Sequence, residues 1–265
     1  MKRQPDADWD ETLGDPVQPA SRVLILNVSR ISDFQRCRRM FFLRWVLRLS
    51  GSSSNETDAA WIGSSTHEAL NLLHVKGRTD QHREDAAPQA EVSGDPRVGA
   101  MIRTHTMLCP GGRAEYLDGE VEARWLIARK SVLLTGRFDA LWRYPDGSLE
   151  VRDYKTGWCP DSLDHDLAAA IYLLLAANST GALTGAGEAL VPIRVVYESL
   201  AGPVGRIVSV AATTSLLRDA LNEVVGLAEH IRRERTFPAN PSPSTCASCP
   251  YRVPCPASVA RGEDR

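Results

Sequence analysis

The chain has 265 residues, of which 43% are hydrophobic and 24% charged, and its formal net charge is -2. That is enough apolar material for one large core with appended pieces, and the charge balance excludes a surface that is basic overall, so a nucleic-acid partner has to be met by a local patch of Lys and Arg. No apolar run approaches the ~20 residues of a membrane-spanning helix, and the polar, acidic N-terminus lacks the apolar centre of a signal peptide; the expectation is a cytoplasmic protein with no membrane partner.

Residues 1–20 read as a disordered tail by composition. The segment 29–49 is predicted helical, with Ser32 as a cap and Ile31, Phe34, Phe41, Phe42 and Trp45 at helical spacing. It also holds the one crowded basic stretch, Arg36, Arg38, Arg39, Arg44 and Arg48, from which Arg36, Arg38 and Arg39 are the candidate DNA contacts. After the loop GSSSNETD, WIGSSTHEALNLLH reads as a Gly-Ser turn into a helix that starts near Thr66. Residues 77–97 read as a polar loop, and Met101–Leu108 as a short helix.

The centre changes character. EVEARWLIA, KSVLLTGRFDALWRY and SLEVRDYKTG are rich in β-branched and aromatic residues and predict three strands. LDHDLAAAIYLLLAAN predicts a helix buried on most sides, followed by a loop at 178–189. VPIRVVYES and GRIVSVA predict two more strands. TTSLLRDALNEVVGLAEHIRRER predicts an amphipathic helix with Leu217, Leu221, Val224, Ala228 and Ile231 on one face. The Pro-rich tail FPANPSPSTCASCPYRVPCP reads as irregular, and no internal repeat is present.

The turn Pro145-Asp146-Gly147 joins the second and third strands. As a three-residue loop it sets Leu141 opposite Val151 and Asp139 opposite Asp153, with Lys155 on the face of Asp153. Like charges at directly opposed positions repel, so two aspartates there call for a bridging cation, and carboxylates suit Mg2+ or Mn2+. A two-residue turn would slip the register by one. For an isolated Asp-Tyr-Lys, solvated strand residues would be the ordinary reading.

GRFDALWR followed by LEVRDYKTG resembles the PD-(D/E)XK nuclease core in its RecB-like branch, with Gly136, Asp139, Asp153, Lys155, Thr156 and Gly157 in matching order and spacing. IGSSTHEAL resembles the family's Gly-x-x-x-His-x-x-Leu helix, which implies that His67 is a metal ligand beside Asp139 and Asp153, and that Lys155 is catalytic. The family's Gln-x-x-x-Tyr helix is matched only in part: Tyr172 is present as a candidate catalytic residue, but Ala168 stands where the glutamine belongs, with His165 and Asp166 nearby.

Of the six cysteines, Cys246, Cys249 and Cys255 cluster in the tail with a spacing typical of metal ligation, while Cys109 and Cys159 have no partner in that scheme. The chain resembles the iron–sulfur subgroup of these nucleases, including AddB and the CRISPR-associated RecB-like exonucleases, and this implies Cys37 as fourth ligand of a 4Fe-4S cluster. Spacing alone leaves a four-cysteine zinc site or unligated thiols open.

The resulting expectation is an α/β fold with a central mixed β-sheet flanked by helices, a restriction-endonuclease-like core. Its parts are a tail at 1–20, helical segments at 21–60, the nuclease core at 61–235, and a cysteine-rich segment at 236–265 that joins 21–60 in a helical iron–sulfur lobe formed by both termini. The expected function is metal-dependent hydrolysis of DNA, acting on single strands or ends, in repair, recombination or CRISPR adaptation. No Gly-x-x-x-x-Gly-Lys-Ser/Thr motif is present, so unwinding would fall to a helicase or another repair or CRISPR partner. The rival is a non-catalytic iron–sulfur DNA-binding or scaffold module.

Overall fold

The computed structural model describes residues 23–51, 58–76, 94–180 and 192–259. The expected tail at 1–20 and most of the loops expected at 77–97 and 178–189 lie outside the described residues.

A short strand not foreseen in the sequence, β1 (Leu24–Leu26), leads into α1 (Val28–Arg36). The cap of α1 is Asn27, whose Oδ1 accepts the Arg30 N–H at 2.8 Å; Ser32, the expected cap, lies inside the helix. The helix expected over 29–49 is broken at Cys37, which is extended (φ -161°, ψ 110°), and resumes as α2 (Arg38–Phe41) and a π-helical turn, Phe42–Val46. The break lets one segment serve two cores. Ile31, Phe34, Phe41 and Phe42 join the main core, while Cys37 and Met40 pack with Tyr251 of the tail.

Helix α3 (Asp58–Lys76) runs through the expected Gly-Ser turn, with Thr66 buried well inside it. Gly63 packs closely there: a Cβ would lie 3.3 Å from Thr156 Oγ1, so the threonine would have to shift slightly to admit one. Helix α4 (Pro96–Leu108) starts earlier than expected, capped by Asp95 with Pro96 at its first turn.

The strands β2 (Glu115–Ile127), β3 (Val132–Arg143), β4 (Leu149–Lys155), β5 (Ile193–Ser199) and β6 (Arg206–Ala211) join β1 in one mixed sheet ordered β1-β3-β4-β5-β6, with β2 on β3. β2 pairs along the whole of β3, so β1 and β4 share its other edge: β1 at Val132–Leu134, β4 at Ala140–Arg143. Helix α5 (Leu167–Ser179) is the crossover between the parallel β4 and β5. With α1 and α6 (Thr214–Arg233) it covers one face of the sheet; α3 and α4 cover the other. The amphipathic reading of α6 holds at Leu217, Val224, Ala228 and Ile231, all buried. Among the described residues no helix is long and apolar enough to cross a membrane.

The tail, expected to be irregular, contains a short helix α7 (Pro243–Ala247) capped by Ser242. It returns to the N-terminal helices: Phe237 stacks on Phe42 (ring centroids 4.9 Å apart) and on Phe41 (6.2 Å), and the Tyr251 hydroxyl donates to the Leu49 carbonyl at 2.8 Å.

Candidate active site

The β3–β4 loop has the three-residue form. Tyr144 N–H donates to Ser148 O and Gly147 N–H to Tyr144 O, both at 2.9 Å, and Gly147 takes the positive φ (83°) that the bulge needs. Leu141 therefore faces Val151 as expected. The ladder, however, begins only at Ala140 and Arg152, so Asp139 and Asp153 are not a ladder pair. Instead the Asp139 Oδ2 accepts the Tyr154 backbone N–H at 2.7 Å, which wedges the strands apart. β3 also turns over here. Phe138 packs edge-on to Tyr172 (5.6 Å) on the α5 face, whereas Ala140 and Trp142 face α3 and α4.

The edge of β3 between its β1 and β4 partners is the floor of a cleft of about 650 Å³, lined by Asn27, Val28, His67, Arg124, Gly136, Arg137, Asp139 and Tyr172 among others. Gly136 keeps this strand close to α5, because a Cβ there would come within 2.6 Å of Leu175 Cδ1.

His67 reaches the cleft from α3. Its Nε2 is 3.0 Å from the Tyr154 carbonyl, which can only accept, so Nε2 carries a proton. Nδ1 then faces the Asp139 Oδ1 at 3.2 Å, an arrangement that requires a second proton or a cation between them. Burial works against a charged His67, but the hydrogen bond it donates to Asp139 and the charges of Asp139 and Asp153 outweigh it and raise its pKa. The Glu120 carboxylate completes a group: one ligand atom each from His67, Asp139 and Glu120 lie within 4.8 Å of one another. Glu120 holds a positive φ (53°), a conformation costly for a non-glycine residue, and its carboxylate pairs with Arg137 at 2.8 Å.

Asp153 and Lys155 project together beside this group, in ionic contact. The Lys155 ammonium lies 4.2 Å from the centre of the Tyr197 ring. The Tyr172 hydroxyl is 3.5 Å from Asp153 Oδ1. Burial pushes the Asp153 carboxyl up to about 6; Lys155 opposes that and Asp139 adds to it. Asp153 Oδ2 is buried against the Lys155 ammonium. A buried carboxylate whose Oδ2 has only the Lys155 ammonium against it, and an imidazole nitrogen facing a carboxylate, are the donor set a divalent cation would satisfy.

Ala168 lies in the first turn of α5. Of its neighbours, Asp166 is spent as the helix cap (Ala169 N–H at 2.8 Å) and as acceptor for the Tyr197 hydroxyl at 3.0 Å, and His165 lines a separate hollow with Asp219 and Glu223. Neither stands in for the missing glutamine at the cleft.

The structure places Cys37, Cys246, Cys249 and Cys255 around one small cavity between α2 and the tail, none of them in a disulfide, with Asn240 N–H donating to Cys37 Sγ at 3.4 Å. Arg36 donates to the Thr245 carbonyl at 3.0 Å and to Ser248 and so braces the tail, and Arg38 pairs at 2.7 Å with Glu234 at the end of α6; Arg39 lines the cysteine cavity.

The sequence reading did not single out Glu120 or Tyr197. Glu120 was the first residue of a predicted strand, and the β2–β3 register that sets it beside Asp139 has no turn signal as sharp as Pro-Asp-Gly. Tyr197 alternates like any strand aromatic, and only the parallel pairing of β5 puts it opposite Asp153.

Comparisons bear on this geometry. No curated protein matches the chain. Among solved structures, a provisionally named exonuclease from Eubacterium rectale is 15% identical over 88% of this chain and 86% of its own, with a TM-score of 0.48. The crystal structure of SSO0001 is 18% identical over 75% of this chain and 95% of its own, with a TM-score of 0.38. A family model described as the PD-(D/E)XK nuclease superfamily matches residues 25–256, from β1 through the third cysteine of the tail, and the chain therefore belongs to that superfamily.

Proposed function

We propose that the protein is a metal-dependent deoxyribonuclease of the RecB-like branch, an exonuclease on single strands or ends, with Asp139, Asp153, Lys155 and Tyr172 in its catalytic centre. The observation that carries this is the imidazole nitrogen of His67 held 3.2 Å from the Asp139 carboxylate, with the Asp153–Lys155 ion pair close enough for the two aspartates and the histidine to act on one another's charge. His67, Asp139 and Asp153 are the proposed ligands, and Glu120 is added to them. When bound, a hard divalent ion polarises the scissile phosphate and lowers the pKa of its water. Because the donor set mixes an imidazole with carboxylates, Mn2+ suits it better than Mg2+.

The side chains divide the remaining work. Lys155 is placed to stabilise charge gained by the phosphate as water oxygen bonds to phosphorus and the bond to the leaving oxygen breaks. Tyr172 steadies Asp153. Arg124 and Arg137 line the cleft and can take flanking phosphates. Arg36, Arg38 and Arg39 stay in the proposal as a more distant contact for the strand. The four cysteines are proposed to hold a 4Fe-4S cluster, a structural staple between the termini; the cavity they share and the N–H donated to Cys37 Sγ support that reading. Anaerobic protein is expected to be brown, with about four irons and four sulfides per chain; a colourless protein with stoichiometric zinc replaces the cluster by a zinc staple. A helicase or other repair or CRISPR partner is proposed to supply unwound DNA. The absence of a glutamine at Ala168 favours a second reading, a non-catalytic scaffold that binds DNA.

The deciding test is cleavage of end-labelled single- and double-stranded DNA with Mn2+ or Mg2+. The enzyme reading expects cleavage from a free end, faster with Mn2+, and lost in Lys155→Ala; DNA binding without cleavage in either metal selects the scaffold. Salt titration sorts the arginines. Each phosphate contact removed should lower the slope of log K against log salt by about 0.7 on single strands. Arg124→Ala with Arg137→Ala is expected to shift that slope more than the triple alanine variant at Arg36, Arg38 and Arg39.

A further inference from the structure

On the sheet face away from α5 lies a group of metal-binding side chains that the nuclease centre does not use. His74 is on α3, seven residues and two turns beyond His67. His105 and Cys109 end α4, spaced i to i+4 so that both side chains lie on one side of the helix. The His74 and His105 Nε2 atoms are 2.9 Å apart, and one ring nitrogen from each lies with Cys109 Sγ inside a 4.8 Å circle. Both histidines are buried.

We propose that His74, His105 and Cys109 bind a divalent ion of the zinc class as a structural site. Two imidazoles and a thiolate are the donors that borderline-soft ions select. Tetrahedral ligation at Zn–N distances of ~2.0–2.1 Å needs nitrogens ~3.3 Å apart, a few tenths of an ångström beyond the present separation. In the metal-free protein that separation is the length of a hydrogen bond, with one proton between the rings. The ion displaces this proton, and the Cys109 thiol proton leaves with it.

The surroundings are those of a prepared site. The Glu198 carboxylate accepts from His105 Nδ1 at 2.7 Å, which turns Nε2 toward His74, the carboxylate–histidine arrangement that orients metal ligands. Glu198 is itself neutralised by Arg152. The His74 ring is fixed between Tyr116, stacked at 4.8 Å, and Trp142, edge-on at 5.0 Å. Gly111 N–H donates to Cys109 Sγ at 3.4 Å, a bond that strengthens as the sulfur becomes a thiolate. The Tyr154 ring packs edge-on to that of His105, with centroids 5.3 Å apart. The ion would clamp α3 to α4 and so fix the helix that delivers His67.

Metal analysis of the full chain tests this independently of nuclease activity. After incubation with zinc and desalting, wild type is expected to hold about one zinc per chain more than Cys109→Ser, with the iron content equal in the two. Cys246→Ser should retain that zinc, which separates the site from the tail cysteines. Added zinc should raise the Tm of metal-free wild type more than that of Cys109→Ser. If Cys109→Ser fails to fold, zinc-edge X-ray absorption on wild type decides: imidazole scattering alongside sulfur supports the site. Equal zinc in wild type and Cys109→Ser, a first shell of sulfur alone, or no zinc at all overturns it.

Discussion

Strand β4 carries two opposite electrostatic solutions on its two faces. Toward α4, Arg152 bridges Glu150 and Glu198, and Glu150 also meets Arg194 at 2.6 Å and the Tyr144 hydroxyl at 3.0 Å. Burial works to raise the Glu150 carboxyl, but Arg152 and Arg194 outweigh it and hold it below its usual range. Toward α5, Asp153 has Lys155 and Asp139 has His67, charged only when protonated, and at Asp153 burial wins: its carboxyl is pushed up to about 6. Arg152 and Asp153 are adjacent and both nearly buried, at 2% and 8% exposure. One face is neutral within itself; the other is short of positive charge. That shortfall, more than the presence of acids, marks the second face as a place for a cation.

The sharpest way to break the comparison is to mutate both faces and read activity and stability together. Asp153→Ala and Lys155→Ala should each lower cleavage by about 10³-fold or more, and Asp153→Ala, which removes a buried acid, should leave the unfolding midpoint unchanged or raise it. Arg152→Met should do the reverse to stability. It leaves Glu150 and Glu198 buried without their shared cation and is expected to cost about 3–5 kcal/mol in urea unfolding. Full cleavage by Lys155→Ala, or an Arg152→Met protein as stable as wild type, removes the distinction between the faces.

A smaller effect follows from pH. A carboxyl whose folded pKa lies above its unfolded value binds its proton more tightly when folded, so it favours the fold at low pH and weakens it as pH rises from about 4 through about 6. In metal-free protein, Asp153→Asn should therefore be more stable than wild type by about 1–3 kcal/mol at pH 8, and the gain should vanish near pH 4. Thermal melts at the two pH values, with a chelator present, measure this directly. A gain independent of pH would assign it to packing and not to charge.

What the sequence disclosed of all this depended on how local the signal was. Pro145-Asp146-Gly147 fixed the register of β3 and β4 because the loop length and the αL glycine leave few alternatives. Alternation placed Lys155 with Asp153, and helical periodicity found the buried side of α6. The wedge at Asp139 was hidden: a side chain that replaces a ladder bond leaves no mark in an alternating pattern. The break at Cys37 was hidden too, because the helical apolar spacing continues across it while the partners change from the sheet to the tail. Glu150, Arg152 and Glu198 read as ordinary strand polar residues, and only the parallel pairing of β4 with β5 brings them together.

The smallest expected effect concerns the helix opposite the charge-deficient face. Ala168 is half-buried on the first turn of α5, four residues before Tyr172, so a longer side chain there would point along the same side as the tyrosine that touches Asp153. Asp166 cannot substitute, since its carboxylate caps the helix and accepts from Tyr197. An amide at 168 would add a donor and an acceptor at the edge of the cleft without changing the net charge that sets the affinity for a cation. Ala168→Gln is therefore expected to raise kcat/KM on single-stranded DNA by about 2- to 10-fold, roughly 0.4–1.4 kcal/mol of transition-state stabilisation. The stability change should be within about 0.5 kcal/mol, since both residues favour helices and the site is not fully enclosed. The metal concentration giving half-maximal rate should not move, and this separates strand positioning from metal binding. Were cleavage unchanged while the fold stayed intact, the cleft would be shown to position its strand without that amide, and Ala168 would no longer favour the scaffold reading.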